Sequence, residues 1–132
     1  MKIALMGCRG RLKHSDPERD GRWIYGYYVL TNSGRSLIYQ ANDNPKIVYE
    51  DSVGRCTGLL DTNNRLIYED DFVVSATEGD MHIKRVRWDA KRLLWTFGGF
   101  SYAQLQESER LLLSSELLTV VGNFHDDPEL LF

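Results

Sequence analysis

The chain has 132 residues, a formal net charge of −3 and a hydrophobic fraction of 42%. That length fits one domain, the apolar fraction is too high for disorder, and the acidic balance argues against a general polyanion binder. No apolar run approaches the roughly 20 residues of a membrane span, and the first seven residues are too short for a signal-peptide core, so a cytoplasmic protein with reduced thiols at Cys8 and Cys56 is expected.

Residues 2–6 form a short apolar strand candidate. Residues 7–21 show no period and gather Arg9, Arg11, Lys13 and Arg19 among Asp16, Glu18 and Asp20, which reads as a flexible solvated loop or an anion-contacting arm. Trp23–Leu30 then alternates with period two. Trp23, Tyr25, Tyr27 and Val29 share one face, and Ile24, Gly26, Tyr28 and Leu30 the other. Both faces are apolar or amphipathic, so cover on both sides is expected, and Gly26 invites close approach of another backbone or a bulge. A turn at 31–34 leads to a strand over 37–40, and 47–49 is a further short strand. Aromatic strand residues beside arginines resemble a stacking platform for single-stranded nucleic acid; the plainer reading is a core sheet with tyrosine hydroxyls at its rim.

Asp61, Thr62, Asn63 and Asn64 are four consecutive turn formers between apolar pairs, Leu59 with Leu60 and Leu66 with Ile67, the pattern of a hairpin with a four-residue connection. Glu69, Asp70 and Asp71 interrupt the apolar run before Phe72, Val73 and Val74 resume it. Adjacent residues of an extended chain point to opposite faces, so these carboxylates read as a strand corner, not a metal site. Strands over 83–88 and 93–97 make a hairpin about 89–92 that carries Lys84, Arg85, Arg87, Lys91 and Arg92. Leu93, Trp95 and Phe97 share a face of its second strand. Residues 101–113 read as one short helix, capped by Ser101, or an irregular loop. A final strand over 117–121 is turned by Gly122 and Asn123, and Asp127 before Pro128 starts a helical turn.

These motifs resemble the YopX family, small proteins encoded mainly by phages and prophages of bacteria. The stretch that carries the resemblance is Val53, Gly54, Arg55, Cys56, Thr57, Gly58 and Leu59, then Asp61, Asn63 and Asn64, then Ile67, Tyr68, Glu69, Asp70, Asp71 and Phe72. The family's ending stands here as Val120, Val121, Gly122, Asn123 and, after His125, Pro128, Glu129, Leu130 and Leu131. Gly54, Thr57, Gly58, Leu59, Asp61, Ile67, Tyr68, Glu69, Asp71, Gly122, Asn123 and Pro128 are therefore expected to be structural family positions. The resemblance implies one mainly β domain: an antiparallel meander over about 1–50 packed with an SH3-like barrel over about 51–132. Asn64 and Asp70 replace family glycines at turns. If Asp70 holds a positive φ, Asp70→Gly should stabilise the fold.

Catalysis has little support. The sequence lacks the nucleophile elbow, the zinc-protease helix, the phosphate loop and the paired-cysteine redox motif. His14, His82 and His125 are far apart in sequence. His125 beside Asp126, Asp127 and Glu129 offers metal donors, which a polar C-terminal turn explains equally well. Cys56 stands where the family has an aromatic residue, which fits packing. No enzyme activity, no cofactor and no membrane partner are expected. Two function classes remain. One is a protein-binding or assembly module that engages a host protein or a second copy of itself in the bacterial cytoplasm. The other binds nucleic acid or a small anion through a candidate surface of Arg9, Arg11, Lys84, Arg85, Arg87, Lys91 and Arg92.

Overall fold

The computed structural model describes residues 7–75, 83–91, 93–97, 100–101 and 118–131. The strands are β1 (Cys8–Arg11), β2 (Trp23–Leu30), β3 (Ser36–Tyr39), β4 (Lys46–Ile47), β5 (Gly54–Leu60), β6 (Leu66–Tyr68), β7 (Asp71–Ser75), β8 (Lys84–Asp89), β9 (Leu94–Phe97), β10 (Phe100–Ser101) and β11 (Leu118–Asn123). Short 3-10 turns occupy Glu50–Ser52 and Pro128–Leu131, so the fold is mainly β, in two antiparallel sheets. None of its helices among the described residues is long and apolar enough to cross a membrane. The strand candidate at 2–6, His82, Arg92 and the segment 102–113 lie outside the described residues. Ser101 itself pairs with Thr96 in a two-strand ladder.

The chain divides into two compact units, Met1–Cys56 and Thr57–Phe132. In the first, β4, β3, β2 and β1 lie side by side in that order. Strand β1, within a stretch read from sequence as loop, pairs Cys8 with Gly26 and Arg11 with Trp23. Its other edge takes the start of β5, with Cys8 opposite Arg55. Cys56 is the next residue and so points to the opposite face from Cys8, and neither cysteine is in a disulfide. An isolated bridge between Leu12 and Val48 brings the chain after β4 back against the end of β1. Ile38 and Val48 are buried inside this curl. Gly10 makes room for both, and a Cβ at Gly26 would collide with the carbonyl oxygen of Tyr39, which is the close backbone approach the glycine permits.

The second unit packs Ile67, Val73, Val86, Leu118 and Val120 into one core, flanked by Leu59 and Trp95. Strand β7 lies between β8 and β11 in the order β10, β9, β8, β7, β11, and its residues Asp71, Phe72, Val73 and Val74 are all buried. Trp88 and Trp95, paired across β8 and β9, meet edge to face at 5.1 Å. Leu93 does not begin that second strand as expected. It sits in the preceding turn with φ +55°, and its side chain is 73% exposed.

The expected closed barrel is not formed: among the described residues the five strands make an open sheet with β10 and β11 at its margins. The reason is local. Beyond β7, the free edge of β11 is met by a turn instead of a strand: Thr62 N donates to Leu118 O at 2.8 Å, and Val120 N donates to Asp61 Oδ2 at 3.1 Å. A side chain has replaced a ladder bond there, which satisfies the edge without closing the sheet.

Candidate functional site

The β5–β6 turn explains why the motif carries Asp61. Its carboxylate is fully buried and accepts from Asn63 N and Arg65 N, both at 2.8 Å, as well as from Val120 N. Burial alone would raise the Asp61 pKa, but these amide bonds, with the charge of Arg65, hold it below the ordinary value. Asn64 takes φ +60°, a conformation asparagine tolerates in place of glycine. Thr57 Oγ1 donates to Ile67 O at 2.8 Å and accepts from Leu59 N, while Gly58 takes φ +81°. Buried Asp71 accepts from Tyr68 N at 2.7 Å. At the other end of the chain, Asn123 Oδ1 accepts from His125 N and Asp126 N, and its own N–H donates to Asp127 Oδ2. A Cβ at Gly122 would press on Asp127 Oδ2. Pro128 opens the final turn, closed by Leu130 N donating to Asp127 O. These family positions bond the backbone to itself.

Asp70 departs from that pattern. It takes φ +70°, as expected for a position where the family has glycine. Its carboxylate, however, is engaged: Arg85 reaches Oδ1 through Nη2 at 2.9 Å and Nε at 3.0 Å, Arg87 Nε lies 3.7 Å away, and His125 Nε2 is 3.3 Å from Oδ2. The Arg85 guanidinium also lies over the ring of Phe124, 3.6 Å from its centre. The Asp70 backbone is fixed by its own N–H to Val86 O and by Phe124 N to its carbonyl. Burial by itself would raise the Asp70 pKa. The bonds from His125 and Arg85 and the charges of Arg85 and Arg87 outweigh it, and the pKa is lowered. Asp70 and Asp71 thus serve different partners, and His125 reaches Asp70 through Nε2.

The predicted basic surface is accordingly dispersed. Arg85 and Arg87 come together on one side of β8 but around a carboxylate. Lys84 is half-buried, Lys91 is exposed, and Arg92 lies outside the described residues. In the first unit Arg9 is buried with its guanidinium 4.4 Å from the centre of the Trp23 ring. Arg11 Nε donates to Gly21 O at 3.3 Å. The loop that follows is tied down: Asp20 Oδ1 accepts from His14 N and from the Tyr49 hydroxyl, and Asp16 Oδ1 accepts from Glu18 N.

The exposed feature of the first unit is aromatic. Tyr25, Tyr27 and Tyr39 are 43%, 51% and 40% exposed, and Tyr27 stands directly opposite Tyr39. Leu37 opposite Val29, and exposed Ile47 opposite Leu37, extend the same face. The expectation that β2 is covered on both sides therefore fails on this side. Gly26 and Ile38 on the opposite face are buried, which leaves the tyrosine rings to solvent. Alternation showed which residues share a face; it carried no sign of which face is covered.

A family model described as YopX protein matches residues 22–132. Among solved structures, the chain is similar to the crystal structure of protein EF1440 from Enterococcus faecalis, with 16% identity and a TM-score of 0.58 over 96% of this chain and 97% of that one. At that identity the likeness speaks for the fold alone. No curated protein matches the chain.

Proposed function

The chain belongs to the YopX family, and from that premise we propose that it is a non-catalytic module that binds protein, with the tyrosine face of the first unit as its contact surface. The observation that carries this reading is the exposure of Tyr25, Tyr27, Tyr39 and Ile47 on one side of one sheet. Tyrosine offers large, stiff contact area with a polar tip, and such residues are enriched at protein interfaces. A polar cluster of the second unit, Asp70 with Arg85, Arg87 and His125, consists of side chains that satisfy one another, a use that suits structure more than turnover. A nucleic-acid platform has less support, because Arg85 is committed to Asp70 and Arg9 to Trp23. The family resemblance adds the setting: an accessory protein of a phage or prophage, acting in the bacterial cytoplasm on a host protein or on a second copy of itself.

The test is purification of the tagged full chain from a bacterial host, with and without nuclease, beside a Tyr25→Ala, Tyr27→Ala double variant and a sedimentation measurement of self-association. The expected result is a protein partner or a self-associated species that survives nuclease and is lost in the variant. Recovery of nucleic acid alone, released by nuclease and equal in the variant, overturns the reading.

A further inference from the structure

A second feature of the first unit is a cleft of about 700 Å³ lined by residues 13–15, 34–36 and 47–50. We propose that this cleft binds a small ligand in which an oxyanion, phosphate or carboxylate, is joined to a flat ring. Its volume lies within the roughly 300–1,000 Å³ usual for small-molecule sites. Three separate segments build it, and backbone bonds hold them together: Lys13 N donates to Ile47 O at 2.9 Å, and Val48 N donates to Ser36 O at 3.0 Å. Ser36 and Val48 are buried and form the floor, with the Ser36 hydroxyl held 3.0 Å from that of Tyr28.

The walls supply two chemistries. Lys13 and Arg35 are exposed cations that have no ion pair among the described residues, although the chain carries an excess of carboxylates. Against them stands one cleft carboxylate, Glu50, so the formal balance of Lys13, Arg35 and Glu50 is +1, which suits a singly charged oxyanion. His14 adds a donor. Its Nδ1 accepts from Asp16 N at 2.9 Å, which leaves the proton of the neutral ring on Nε2. The apolar wall is Ile47 with the Tyr49 ring. Tyr49 is pinned through its hydroxyl to Asp20 at 2.7 Å, and Lys13 Nζ lies 5.9 Å from the ring centre. A flat ligand seated on Tyr49 places its anionic group beside two cations that have no ion pair among the described residues. The cleft uses residues other than the tyrosines of the protein-binding face, Ile47 excepted, so the two proposals stand or fall separately.

The experiment is an amide-resolved NMR titration of the full chain with four probes. Phenyl phosphate and benzoate join ring and anion, and their comparison distinguishes the two sources of oxyanion. Inorganic phosphate and benzyl alcohol carry one half each. Saturating shifts confined to residues 13–15, 34–36 and 47–50 are expected with phenyl phosphate, benzoate or both, with each half binding at least about tenfold more weakly. The Lys13→Gln, Arg35→Gln double variant changes two exposed side chains. It should keep the amide spectrum of the rest of the unit and lose about tenfold or more in affinity for the ring-anion probe. Shifts that do not saturate, shifts centred outside the cleft, affinity unchanged in the double variant, or inorganic phosphate binding as well as the joined probes would each overturn the proposal.

Discussion

The two units use the same residue types in opposite ways. In the second, charged side chains turn inward: Asp61 and Asp71 are buried against backbone amides, and Asp70 gathers Arg85, Arg87 and His125. In the first, Lys13 and Arg35 and the rings of Tyr25, Tyr27 and Tyr39 stay at the surface. A charge paired with an opposite charge has little left to offer a ligand, whereas an exposed ring or an exposed cation outside any ion pair keeps more of its interaction energy available. The contrast supports the proposal that the second unit serves architecture and the first recognition.

The largest test of that contrast is Asp61→Ala. It strips three amides, two of turn residues and that of Val120, of a buried acceptor, and the expected loss of stability is about 3–5 kcal/mol in urea denaturation. A loss below about 1 kcal/mol would show that water replaces the carboxylate freely and that the edge of β11 does not depend on it.

Asp70→Gly comes next, and its sign is reversed by the side-chain contacts. Glycine relieves the positive φ, a gain of up to about 1 kcal/mol, but it leaves the largely buried Arg85 guanidinium without its carboxylate. A net loss of about 1–2 kcal/mol is expected. A variant more stable than the parent would mean that the Arg85 pair contributes nothing and that Asp70 is a turn residue only.

Acid should weaken the same unit. The Asp70 and Asp61 pKa values are lowered in the folded chain from an ordinary 3.8. For a depressed carboxylate the stabilisation is complete above the unfolded value and is lost as pH falls through the folded one. The urea midpoint should therefore be flat above about pH 5 and decline below about pH 4, and Asp70→Asn should make that decline shallower. An identical decline in Asp70→Asn would remove Asp70 from the account.

The smallest effects belong to exposed positions. Tyr27→Ala is expected to cost no more than about 1 kcal/mol of stability, the worth of one cross-strand pair, while weakening partner binding. A larger stability loss would make the tyrosine face part of the core after all. Leu93→Gly, at a positive φ and an exposed site, should raise stability by about 0.5–1 kcal/mol; a drop in the urea midpoint would show that the leucine side chain is used.

Much of the fold was legible in the chain. Period-two alternation located β2 with the bounds it has, and the run of turn formers from Asp61 to Asn64 located the β5–β6 hairpin, because both are local signals. Strand β1 was hidden because its four residues include two arginines and a glycine, and what makes them a strand is pairing with β2 and β5. The basic hairpin misled for a related reason. Nothing near Arg85 in sequence indicates that Asp70, fifteen residues earlier, neutralises it. Nor does any local pattern bring Lys13, Arg35 and Tyr49 to one cleft; that grouping exists only once Leu12 bridges Val48.

The bond from Val120 to Asp61 also bears on the order of folding. Its partners are 59 residues apart in the chain, and closing a flexible loop of that length costs about 3.6 kcal/mol beyond a fixed constant. The β5–β6 turn, by contrast, closes locally and quickly. The hairpin therefore forms first, with one carboxylate oxygen already occupied by Asn63 and Arg65 and the other still in water. Strand β11 arrives late and finds its docking point already shaped. A chain altered at Asp61 should therefore show two kinetic defects, slower folding from the lost turn bonds of one oxygen and faster unfolding from the lost Val120 bond of the other.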